Sequence, residues 1–137
     1  MHVVIIGGGV AGVSCAEELA RLASAKRTPS KIEVTIVSAS RSLVGVRSLV
    51  QVSTCVERLQ VERRPIDFLS RDFPGVVAIE GVVSSIDVPN RLINLVGRAA
   101  LQFDRVILCT GARPMVPKVL SLQSALVHTI RDSDSVE

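Results

Sequence analysis

A chain of 137 residues with 47% hydrophobic and only 2% aromatic side chains can bury one continuous aliphatic core, without disulfides or a structural metal. The net charge of +3 is spread over scattered residues whose longest runs are pairs such as Lys26-Arg27 and Arg63-Arg64; with no Trp, no Tyr and three Phe there are no stacking platforms, which argues against a dedicated nucleic-acid binder. Cys15, Cys55 and Cys109 form no CxxC pair, zinc-type spacing or secreted disulfide framework, and no stretch approaches the roughly 18–20 apolar residues of a bilayer crossing, so the expectation is an intracellular soluble protein, cytoplasmic or nuclear, with no membrane association.

Residues 2–6 (HVVII) are an apolar run of strand length, and Val10 to about Ala25 follow with helical spacing at Ala11, Cys15, Leu19 and Leu22. Thr28-Pro29-Ser30 breaks the pattern before a β-branched strand over residues 32–37 (IEVTIV), which completes a right-handed βαβ unit. Residues 38–53 show no period and read as an irregular connection over the ligand face. Residues 54–62 and 66–73 read as short helices, with Pro65 in the first turn of the second and Pro74-Gly75 as its stop. VVAIEG (76–81) opens a third parallel strand.

From residue 81 to 104 the rhythm shortens to VVSSIDV, RLINLV and ALQF separated by Pro89-Asn90 and Gly97-Arg98, which predicts a three-stranded antiparallel meander. Residues 105–109 (RVILC) return to an apolar, buried strand closed by Thr110-Gly111-Ala112-Arg113-Pro114. The fold class is α/β: a Rossmann-like parallel sheet with helices and a meander, as one domain over residues 1–137. Asp134-Ser135-Val136-Glu137 has the form of a helix capping box, which makes the chain read as a fragment of a longer protein, a natural truncation or a cloned domain.

The spacing Gly7-x-Gly9-x-x-Gly12 follows a strand and opens a helix, the context in which this pattern signals a dinucleotide site. In that reading Gly7 permits the tight turn, Gly9 lets the backbone approach a pyrophosphate, Gly12 lets the helix pack on the strand, and Gly8 is a small residue that crowds nothing. Where such sites usually place Asp or Glu at the end of the second strand, this chain has Ser38. Either Ser38 with Arg41 shapes a pocket for the 2′-phosphate of NADP, or the ligand is FAD with a weaker ribose contact.

FDRVILCTGARP (103–114) resembles the second FAD motif of the two-dinucleotide-domain flavoproteins, and the meander and an opening fingerprint also belong to their FAD domain. With GGGVAGVSCAEELA, the strand end VSAS, RDFPGVVAIEGV and the tail IRDSDS, the chain resembles the pyridine nucleotide-disulphide oxidoreductase family over nearly its whole length. The resemblance implies FAD contacts at Gly7, Gly9, Ala11 and Gly12 around the pyrophosphate, at Ser38 and Ala39 near the adenosine ribose, at the Val83 backbone near adenine, and at Thr110 and Gly111. Arg47 and Arg131 approach the phosphates or flavin on the same reading, or are solvated surface arginines.

The family's redox cysteine pair, early in the helix after the second strand, has no counterpart between Ser38 and Ser53. Cys55 stands alone next to Val56; Cys15, on the packing face of the first helix, and Cys109 read as core thiols. His2 and His128 are isolated; no catalytic residue and no metal site is assigned. The resulting expectation is the FAD-binding domain of an NAD(P)H-dependent flavin oxidoreductase without that disulphide. NAD(P)H would use a domain absent here, the remaining domains would be the partners, and this piece would be inactive alone. An NADP-binding domain of a dehydrogenase and a degenerate nucleotide fold kept as an interaction module are the alternatives.

Overall fold

The computed structural model of the chain describes residues 1–25, 31–44 and 63–112. Almost all of them belong to one compact unit, Met1–Leu43 with Arg64–Thr110. In chain order the elements are β1 (His2–Ile6), α1 (Val10–Ser24), β2 (Glu33–Ser38), β3 (Ser42–Val44), β4 (Arg63–Pro65), α2 (Phe68–Asp72), β5 (Val76–Glu80), β6 (Val83–Asp87), β7 (Leu92–Leu95), β8 (Leu101–Gln102) and β9 (Arg105–Leu108).

The apolar runs become a parallel sheet ordered β5-β2-β1-β9, with Ile5 opposite Ile36 and Ile107, and Ile36 opposite Ala78. Its strands lack polar alternation because both faces are covered. Val3, Ile5, Val34, Ile36 and Val76 point to the helical side, against Val13, Ala16 and Ala20 of α1 and Phe68 and Leu69 of α2. Val4, Ile6 and Val37 point the other way, against Ile93, Leu95 and Phe103 of the meander segment, where β6, β7 and β8 pair antiparallel. Ile5, Ile36, Leu69 and Ile93 have no exposed surface, so truncating one to alanine costs about 2–5 kcal/mol.

Several predicted boundaries move. The second strand starts at Glu33, where its ladder with β1 begins opposite His2, and Ile32 packs in the core just ahead of it. The stretch read as irregular contains β3, which pairs with β4 in a ribbon too short to show any period. Pro65 ends β4 instead of opening a helix, and the turn set by the Leu69 N–H on the Ile66 carbonyl (3.2 Å) delays α2 to Phe68. β9 stops at Leu108 and lies at the end of the described sheet, so Leu108 is exposed and Cys109 half-buried. Residues 54–62 and 134–137 lie outside the described residues.

At the opposite end of β1, the Asp104 carboxylate accepts the His2 backbone N–H at 2.7 Å and stands 3.7 Å from the Arg91 guanidinium. The His2 bond, chiefly, holds the Asp104 carboxyl below the usual carboxylate range, with the terminal ammonium and Arg91 acting the same way. Its folded pKa lies under the unfolded value of about 3.9, so its stabilisation is complete above about pH 4 and vanishes as pH falls through the folded value. Asp104→Asn should therefore flatten the acid limb of stability, read as urea midpoints that vary less between about pH 4 and pH 2 than those of the wild type. The His2 ring is also accounted for: Nε2 lies 2.8 Å from Oγ1 of the buried Thr35.

Candidate functional site

A parallel sheet brings the carboxyl ends of its strands to one edge, and the loops leaving β1, β2, β5 and β9 start there. The first of these, Gly7 to Gly9, is locked from three sides. The Gly7 N–H donates to the Val37 carbonyl at 2.8 Å, and the Cys109 N–H donates to the Ile6 carbonyl at 2.7 Å. Gly7 has φ +114°, and a Cβ there would overlap the Cys109 carbonyl. A Cβ on Gly12 would overlap the Gly7 carbonyl oxygen, so the first turn of α1 lies directly on the loop.

Gly8 departs from expectation: far from crowding nothing, a Cβ on it would overlap Ser38 Oγ and come within 2.7 Å of Ile66 Cδ1. Gly9 is the opposite case, since among the described residues no atom lies within 4 Å of where its Cβ would stand. Gly9 is also the N-cap of α1 and provides no capping side chain, and the first turn holds no acidic residue. The first helical bond runs from the Val13 N–H to the Gly9 carbonyl at 3.0 Å, which leaves the Val10, Ala11 and Gly12 amides pointing out of the helix end. Donors that no described residue fills, the positive end of the helix dipole and, among the described residues, open space at one glycine form a cradle that suits a diphosphate.

Ser38, buried at the end of β2, turns its hydroxyl inward: it donates to the Ser40 carbonyl at 2.8 Å and accepts the Ser40 N–H at 3.2 Å. Its proton and one lone pair are thus committed, and one lone pair remains for a ribose hydroxyl. Ser38→Ala should lower stability by about 1 kcal/mol in urea titration, because the Ser40 amide and carbonyl lose their partner.

Ala39 is exposed just beyond Ser38, and Thr110 is exposed just beyond Cys109, whose carbonyl touches the Gly7 position. Val83 begins β6, two residues after Gly81, whose N–H donates to the Ser38 carbonyl at 2.8 Å. Gly7, Gly9, Ala11, Gly12, Ser38, Ala39 and Thr110 therefore share the carboxyl edge, and Val83 adjoins it; Gly111 has φ +72°. Arg47, Cys55, His128 and Arg131 lie outside the described residues.

One residue that sequence reasoning missed is Glu80, the last residue of β5. It stands in register beside Ser38 and binds Arg41, Nε to Oε2 3.2 Å. Its signal was available: an acidic residue closing the third apolar run, next to the strand whose usual acid is replaced. Cys15 and Cys109 are half-buried against the helix-side core, and burial, then the neighbouring Cys109, pushes the Cys15 thiol up. That is the state of a core thiol, not of an activated one. Among the described residues no His, Cys, Asp and Glu cluster is arranged to hold a metal, and no helix is long and apolar enough to cross a membrane.

The family model for pyridine nucleotide-disulphide oxidoreductases matches residues 1–137. The chain belongs to that family. Pyridine nucleotide-disulfide oxidoreductase domain-containing protein 1 of Danio rerio is 32% identical over 134 residues, which are 98% of this chain and 26% of that protein. The Homo sapiens protein of the same name is 31% identical over 134 residues, 98% of this chain and 25% of its own length. The chain thus spans about a quarter of the length of these relatives. Among solved structures, an NAD-dependent persulfide reductase from A. fulgidus superposes with a TM-score of 0.76 at 22% identity, covering 98% of this chain and 26% of that one. The fold is the Rossmann-like one of this family: parallel sheet, flanking helices and antiparallel meander.

Proposed function

We propose that this chain is the FAD-binding domain of an NAD(P)H-dependent flavin oxidoreductase that works without the family's redox disulphide. The observation that carries the reading is the cradle at Gly9, open among the described residues, beneath three helix amides that none of those residues bonds, in a chain of this family. The donors fit two bridged phosphates, and the position where a side chain would interfere is a glycine in extended conformation whose Cβ direction is empty among the described residues.

When bound, FAD supplies the hydride and electron chemistry at its ring system. The chain's own residues bind and orient. The Val10, Ala11 and Gly12 amides hold the diphosphate; Ser38 and Ala39 line the adenosine ribose; the Val83 backbone meets adenine; Thr110 and Gly111 border the nucleotide from the second motif. No side chain here is assigned a proton to move. NAD(P)H binds on a domain outside these residues, in line with the quarter of its relatives' length that the chain spans. The chain alone holds the ADP half of FAD and does not turn over.

Equilibrium titration of the purified chain tests this. FAD and ADP should bind and compete with each other, and FMN, which lacks the ADP half, should not compete. FMN binding as well as FAD, or no ADP binding, would overturn the reading.

A further inference from the structure

We propose that Glu80, held by Arg41, selects the adenosine ribose of this site, accepting a free 2′-hydroxyl and rejecting a 2′-phosphate. This rests on the dinucleotide reading above and adds a specificity that the glycine loop cannot supply.

The usual ribose acid at the end of β2 is replaced by Ser38, whose hydroxyl is largely spent on Ser40. The adjacent strand carries the missing carboxylate. Ser38 and Glu80 are register partners in a parallel pair, so their side chains leave the sheet on the same face at the same level. The Gly81 N–H on the Ser38 carbonyl (2.8 Å) ties the two strand ends together, so Glu80 keeps this position. Its side chain is 46% exposed, enough to meet a ligand at the carboxyl edge.

Arg41 is what distinguishes two specificities. A guanidinium near the ribose can accept a 2′-phosphate, but here it lies 3.2 Å from the Glu80 carboxylate. The Arg41 backbone is fixed by its carbonyl, which accepts the Ile66 N–H at 2.9 Å, so the arginine is presented to Glu80 from an anchored loop. The pair is close to neutral, and a 2′-phosphate with a charge of about −1.5 to −2 would meet the carboxylate as well as the guanidinium. A ribose diol, a donor, meets an acceptor-only carboxylate.

The test is calorimetric titration of the chain with ADP-ribose and with 2′-phospho-ADP-ribose. The wild type should favour ADP-ribose by about tenfold or more, the size of one charge-assisted bond gained or one repulsion avoided. Glu80→Gln should weaken ADP-ribose by about threefold to tenfold and erase or invert the preference. Arg41→Gln, which leaves Glu80 charged and unpaired, should deepen it. A pair that only braces the fold would shift both ligands equally in both variants, and circular dichroism confirms that each variant is folded. Equal wild-type affinities, or a ratio indifferent to Glu80→Gln in a folded protein, would overturn this inference alone. If neither ligand binds the wild type, or Gly9→Val binds as the wild type does, the dinucleotide reading fails and this inference with it.

Discussion

Gly9→Val should abolish measurable FAD binding while leaving the domain folded. The two effects separate because Gly9 has extended backbone, φ −76°, and no atom of the described residues within 4 Å of its would-be Cβ, so those residues leave room for a side chain. Loss of a glycine N-cap for a β-branched residue costs about 1 kcal/mol, a fall in melting temperature of a few degrees. Binding is another matter. An isopropyl group over the Val10–Gly12 amides would displace a diphosphate from two or more charge-assisted bonds of about 1.5–3 kcal/mol each, which predicts a loss of affinity of about 10²–10⁴. Isothermal titration with FAD, paired with thermal melts, reads both quantities.

Gly7→Ala should do the reverse and cost the fold much of its stability before the ligand matters. At φ +114° the backbone occupies a region essentially closed to side-chain-bearing residues, at a cost of about 1–3 kcal/mol. The added Cβ would also overlap the Cys109 carbonyl, which follows β9, and the Cys109 N–H bond to the Ile6 carbonyl would have to move with it. Overpacking of this kind costs about 1–3 kcal/mol more, so the sum of about 2–6 kcal/mol consumes a large share of a typical domain's stability of about 5–15 kcal/mol. Urea denaturation of the two variants side by side should show Gly9→Val near the wild type and Gly7→Ala far below it.

The parallel strands, α1 and the meander were legible because each is a run of period or apolar continuity long enough to stand out, and because turn chemistry such as Pro89-Asn90 and Gly97-Arg98 marks their ends. β3 and β4 were not legible: three residues each carry no period, and their pairing depends on partners separated in sequence. Pro65 illustrates the ambiguity, since a residue that suits a first helical turn also suits the end of an edge strand. At the site, the roles of Gly7 and Gly12 follow from the fingerprint's spacing. The closeness of Gly8 to Ser38 and Ile66, and the placing of Glu80 beside Ser38, required the sheet register, because they join residues from different strands and loops. Ser38 shows the limit most plainly: its identity revealed a missing acid, and only its bonds to Ser40 revealed how little of its hydroxyl is left for a ligand.

The most direct measurement is a titration of the ¹⁵N-labelled chain with FAD, followed by amide chemical shifts. The largest and earliest shifts should belong to Val10, Ala11 and Gly12, with smaller ones at Ser38, Ala39 and Thr110. Saturation by FAD that leaves the start of α1 unmoved, with the shifts gathered on the meander or elsewhere, would contradict it.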